Sequence, residues 1–144
     1  MKRCLVPFVV FFAASVAGCH RTPDEQLIRD AIGSMQQALE NGSPRDFMSH
    51  VDTDFTGQEG RFDRNGLHNL LRVEVLRNDK IGVILGPIDI QMHGGRATVH
   101  VSATFTGGPG GWLPERGALY TFTSGWRKHG SDWYCYNASW RRKL

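Results

Sequence analysis

The sequence predicts an α+β domain with helices in the first half and antiparallel strands in the second. Three observations carry this. Leu27, Ile28, Ala31, Ile32, Met35 and Leu39 recur at the spacing of one helix face. From Ile88 to Phe105 apolar and polar residues alternate, broken only by Gly94-Gly95. Both patterns are half-apolar, so one face of the sheet must be covered by the helices. At 144 residues the chain suits one such domain.

The order of elements begins after a segment of different character. Lys2 and Arg3 precede an apolar run from Leu5 to Gly18, 14 residues long. A helix crossing a bilayer needs about 20 residues. A short basic start, a short apolar core and small residues before a cut describe an export signal, here residues 1–18. Val16-Ala17-Gly18-Cys19 resembles the lipobox of bacterial lipoproteins: an aliphatic residue, two small ones, then cysteine. The resemblance implies diacylglycerol on the Cys19 thiol, cleavage before Cys19, and acylation (palmitate or a similar chain) of the new amino group. Each buried methylene contributes about 0.8 kcal/mol, and two or three chains hold a protein on its membrane. His20 in place of Asp implies the outer membrane, with the domain facing the periplasm. The alternative is an ordinary secretory cut after Ala17, leaving Cys19 free to pair with Cys135. Cys4 leaves with the signal in either case.

From residue 19 to 144 the chain reads as one domain. Thr22-Pro23-Asp24-Glu25 sets a capping hydroxyl, a proline at the first helical position and a glutamate able to reach back. Asn41-Gly42 ends that helix. Ser43-Pro44-Arg45-Asp46 repeats the arrangement and predicts a shorter helix with Phe47, Met48 and Val51 inward. A third helix is expected from Asp63 to Leu76, with Leu67, Leu70, Leu71 and Leu76 as its apolar members. Asn78-Asp79 breaks it, and strands follow from Lys80. The Gly94-Gly95 turn sets Ile90 against Val99 and Asp89 against His100. A Gly- and Pro-rich loop from Gly107 to Gly117 leads to a third strand with Tyr120, Phe122 and Trp126. His129-Gly130-Ser131 turns into a fourth, Asp132 to Arg141.

This order of elements, with "DFTGQEG" between the helices and "GSDWYCYNASW" near the end, resembles the nuclear transport factor 2-like superfamily, also called SnoaL-like. The resemblance implies a cone: a strongly bent antiparallel sheet wrapped around N-terminal helices, with a pocket between them. Family members include isomerases, dehydratases and hydrolases beside non-catalytic binding domains, so the fold leaves function open. Pairing of two copies through their sheets is also common in the family, but the Thr-rich outer strand face offers little apolar surface for it.

Charge narrows the partners. Removing Lys2 and Arg3 from the 17 Lys and Arg leaves 15, against 14 Asp and Glu. A near-neutral domain gives no argument for nucleic acid. Arg141-Arg142-Lys143 reads as a solvated tail.

Chemistry-bearing patterns are sparse. The apolar strand face carries Ile88, Ile90, Val99, Val101 and Phe105 and no carboxylate, since Asp89 points the other way. Asp89 beside His100 has the form of half a catalytic dyad, but no nucleophile accompanies it. Asp52-Thr53-Asp54-Phe55-Thr56-Gly57 opens like a calcium loop with Asp63 twelfth. Glu59 at the eighth position and the short Asp63 fit that pattern poorly, and Asp63 serves as a helix cap. No metal or cofactor is therefore assigned. Trp112 in the Gly-rich loop is a candidate contact anchor, and Cys135 reads as an inert buried thiol.

The expectation is a lipid-anchored envelope domain, non-catalytic, binding a small apolar ligand or an envelope partner. Its pocket would be lined by Ile28, Ile32 and Met35 from the first helix and Val99, Val101, Phe105, Tyr120 and Phe122 from the strands. The alternative is an isomerase, dehydratase or hydrolase of the same fold, with His50, Asp54 and His100 as its acid–base candidates.

Overall fold

The Thr22 hydroxyl accepts the Glu25 amide at 3.2 Å and starts helix α1, Pro23–Glu40. The computed structural model describes residues 22–107 and 117–144, so the Cys19 motif and Trp112 lie outside the described residues. Helix α2 covers Pro44–Met48, where the Ser43 hydroxyl donates to the Asp46 carboxylate at 2.7 Å instead of capping the backbone. Strands β1 (Val51–Gly57) and β2 (Phe62–Asp63) follow, then helix α3, Arg64–Arg77. Asp63 caps α3 by accepting the Gly66 amide at 2.7 Å. Four long strands complete the chain: β3 (Ile81–His93), β4 (Arg96–Gly107), β5 (Ala118–His129) and β6 (Asp132–Arg142).

One six-stranded sheet has the order β2-β1-β6-β5-β4-β3. The β3–β4 hairpin turns at Gly94-Gly95 and aligns Ile90 with Val99 and Asp89 with His100, as the turn geometry requires. The sheet is mixed rather than wholly antiparallel, because β1 runs parallel to β6. Register breaks between Leu85 and Ile88, and between Gly125 and Trp126, insert an extra residue on one side of a strand pair. Such bulges bend the ladder, and here they curve the sheet around the helices. Pro87 falls in the first bulge, on edge strand β3, where its missing N–H breaks no interior ladder.

Residues 51–57 correct the sequence reading. They form a strand rather than a stretch between helices, and Val51, expected inward on the second helix, begins that strand. Asp is a poor strand former; pairing with β6 and burial of Val51 and Phe55 override that preference. The following turn holds Gln58 and Glu59 at φ of 50° and 59°, an unfavourable region for non-glycine residues. Gln58 offsets the strain by gripping β6: its side chain donates to the Trp140 carbonyl at 2.9 Å and accepts the Trp140 amide at 3.1 Å.

The core lies between α1, α2, α3 and the concave sheet face. Ile28, Met48, Phe55, Val99, Trp126 and Trp133 are all buried there, each contributing on the order of 1.5–3 kcal/mol. Helix α1 also guards the sheet edge. Its Gln36 donates to the Val83 carbonyl at 2.8 Å, and Glu40 accepts the Val83 amide at 3.2 Å. Those two bonds cover the backbone that an edge strand would otherwise present to another chain.

Candidate functional site

A cavity of about 340 Å³ lies between the helices and the concave face of the sheet. Helix α1 supplies Ile32, Met35, Gln36 and Leu39, and α3 supplies Leu67, Leu70, Leu71 and Glu74. The sheet contributes Val83, Val101, Ala103, Phe105, Tyr120, Phe122 and Trp126 among others. Phe105, Tyr120 and Phe122 stand in mutual contact, with ring centroids 5.8–6.2 Å apart. Phe105 meets both other rings edge-on, a favourable aromatic geometry, and the three form one wall of the cavity.

Of the residues expected to line a pocket, Ile32, Met35, Val101, Phe105, Tyr120 and Phe122 line this one. Ile28 and Val99 do not: both are fully buried in the packed core beyond it. Polar groups on the wall are few and mostly engaged. The Gln36 amide nitrogen is bonded to Val83, and the Ser124 hydroxyl accepts the Trp126 indole N–H at 3.0 Å. The Cys135 thiol reaches the Asn137 carbonyl at 3.2 Å, and burial pushes its pKa up to about 12. A thiol so held is no nucleophile at neutral pH.

The acid–base candidates named from sequence lie elsewhere. His100 sits on the outer sheet face, its ring 3.2 Å from the Thr123 hydroxyl, in register with Asp89 but directed to another strand. His50 lies between α2 and β1, outside the cavity lining, where burial lowers its pKa and favours the neutral ring. Asp54 is exposed on the outer face and bonds the Arg127 guanidinium. An open depression holds both Asp54 and Asp63, but each carboxylate is committed, Asp54 to Arg127 and Asp63 to the α3 cap. Among the described residues no set of three His, Cys, Asp or Glu side chains is placed to hold a metal.

Beside Asp54, Asp52 organises a polar cluster on the outer face. Its carboxylate accepts from Arg127 Nε at 2.6 Å, His129 Nε2 at 2.9 Å and the Thr53 amide at 2.7 Å. Burial alone would raise its pKa; the donors from Arg127, His129 and Thr53 outweigh that and hold it below the ordinary 3.8. Arg127 and Arg96 also pack over the Tyr136 ring, 5.0 and 5.2 Å from its centroid. The cluster is structural in its bonding, since every strong group in it already has a partner.

Glu74 is the carboxylate that sequence reasoning missed. It follows Leu67, Leu70 and Leu71 by seven, four and three positions, so it continues the inward stripe of α3. A charged residue on an apolar stripe was the available signal.

No family model and no curated protein sequence matches the chain. Solved structures do. It is similar to a candidate scytalone dehydratase from Novosphingobium aromaticivorans, with a TM-score of 0.72 and 11% identity over 83% of this chain and 84% of that one. A candidate dehydratase of the nuclear transport factor 2-like family from Streptomyces avermitilis gives 0.70 and 14%, covering 84% and 97%. A nuclear transport factor 2-like protein of unknown function from Pseudomonas putida gives 0.70 and 16%, covering 84% and 87%. Identities this low speak for the fold alone. With its helices, curved six-stranded sheet and the cavity between them, the chain has the nuclear transport factor 2-like, cystatin-like fold.

Proposed function

We propose that this chain is a lipid-anchored envelope protein whose domain binds a small apolar ligand in the cavity between helices and sheet. The observation that carries the reading is the character of the wall. The concave sheet face brings aliphatic and aromatic side chains to the cavity, and among the described residues the only carboxylate on the lining comes from α3. A concave apolar volume with few polar groups favours binding by water exclusion and shape. The anchor rests on Val16-Ala17-Gly18-Cys19 and the short apolar run before it. In this reading residues 1–18 are removed and Cys19 carries the lipid.

The test is titration of the full chain with N-phenyl-1-naphthylamine, a neutral probe whose emission rises in apolar surroundings. Saturable binding at one site per chain is expected. Val101→Trp, which fills the cavity, abolishes it while the far-ultraviolet circular dichroism is retained. Equal binding by wild type and Val101→Trp would place the probe elsewhere and defeat the reading.

A second reading, an isomerase, dehydratase or hydrolase, draws support from Glu74 on the wall and from the dehydratase descriptions of two structural neighbours. It predicts turnover that Glu74→Gln removes. A binding domain shows none with either protein.

A further inference from the structure

Resting on the ligand-binding reading, we infer that the cavity selects apolar molecules that end in a cationic hydrogen-bond donor, an ammonium group above all, and that Glu74 receives that end. Glu74 is half-buried on the cavity wall and makes no ion pair among the described residues. Its one side-chain neighbour within hydrogen-bonding range is the Asn78 amide nitrogen, at 3.5 Å from Oε2. That distance is at the limit of a useful bond. The Asn78 nitrogen is better engaged with the Glu74 carbonyl, at 2.8 Å.

The other polar groups on the wall point to the same ligand chemistry. Gln36 has its amide N–H₂ engaged with Val83, which leaves its oxygen as the acceptor. Among the described residues no Lys or Arg lines the cavity. An anionic head group would therefore meet a carboxylate and no counter-charge, at a site whose apolar walls weaken screening. A cationic donor meets one uncompensated carboxylate, and its apolar body meets Leu70, Leu71 and the Phe105–Tyr120–Phe122 wall. Charge and hydrogen-bond polarity thus favour the same end group.

The experiment compares three ligands with one apolar cage and different heads: 1-adamantylamine, 1-adamantanol and adamantane-1-carboxylate. Each is used to displace N-phenyl-1-naphthylamine from the full chain at pH 7 and low salt. The amine should displace the probe at a concentration about tenfold below that of the carboxylate, the scale of one hydrogen bond to a charged group. Glu74→Gln should bring amine and carboxylate together while leaving the alcohol unchanged, and Glu74→Lys should reverse their order. Retained probe binding by either variant shows that its cavity has formed. A carboxylate that competes as well as the amine, or an amine preference that survives Glu74→Gln, overturns this inference and leaves the apolar cavity standing. Failure of wild-type protein to bind the probe at all overturns the ligand-binding reading, and this inference falls with it.

Discussion

Asp52 sits on the outer sheet face and is nevertheless buried, its side chain only 8% exposed. Three donors converge on it, from Arg127, His129 and the Thr53 backbone. A carboxylate only accepts, so His129 must carry its proton on Nε2, which fixes its tautomer. Because the folded pKa of Asp52 lies below its unfolded value, the stabilisation is complete above about pH 4. It is lost as pH falls through the folded value. Asp52→Asn should therefore lower stability at pH 7 by about 2 kcal/mol and lose less than wild type on acidification from pH 5 to pH 2. Thermal melts across that range check both halves. The same residue shows how a sequence motif misleads: Asp52 and Asp54 look like metal ligands because sequence shows their spacing and hides Arg127, which lies 75 residues from Asp52.

Among the elements, the helices were legible and one edge of the sheet was not. Thr22 and Asp63 both act as side-chain caps where the sequence places them, because capping is a local interaction between neighbouring residues. The β3–β4 register was legible too, since Gly94-Gly95 leaves one pairing. Strand β1 was hidden because its partner β6 lies far along the chain and pairs with it in parallel. Bulges are equally silent. At the β5–β6 bulge Gly125 leaves room for the Tyr136 ring to lie across the strand. An added Cβ would stand 2.8 Å from Asn137 Oδ1 and 2.9 Å from Tyr136 Cζ. Gly125→Ala should cost about 1–3 kcal/mol, read as a lower melting temperature, and should disturb the Arg96–Tyr136–Arg127 stack. An unchanged melting temperature would mean that the ring moves aside freely.

At the scale of the molecule, α1 ties the β5–β6 turn region to the β3 edge of the sheet. Asp24 at its start accepts the Trp133 indole N–H at 3.0 Å and Lys128 Nζ at 2.9 Å. The helix then runs 18 residues, about 27 Å, to Glu40 beside Val83. Cavity residues Met35, Gln36 and Leu39 lie in its C-terminal half. If Cys19 carries lipid, the anchor joins the chain before the Asp24 end of α1, while the cavity residues of α1 lie in its other half. Cys19→Ser should then move the protein from the membrane to the soluble fraction without altering probe binding, as fractionation and the titration together would show. The sequence disclosed only part of the cavity's wall, Val101, Phe105, Tyr120 and Phe122 among it, because alternation along a strand separates the covered face from the outer one. It did not disclose which of those residues pack solidly, such as Ile28 and Val99, and which border empty space. That distinction depends on how far α3 stands from the sheet, a distance no local pattern records.

The central claim is that the apolar space between α1, α3 and the sheet takes up a ligand, and methionine methyl resonances test it most directly. Met35 lines the cavity, whereas Met48 is buried at the end of α2 and Met92 lies toward the β3–β4 turn, both outside the lining. Titration of methyl-labelled protein with N-phenyl-1-naphthylamine should shift Met35 progressively to saturation and leave Met92 in place. A Met35 resonance that does not move while the probe binds would contradict the account.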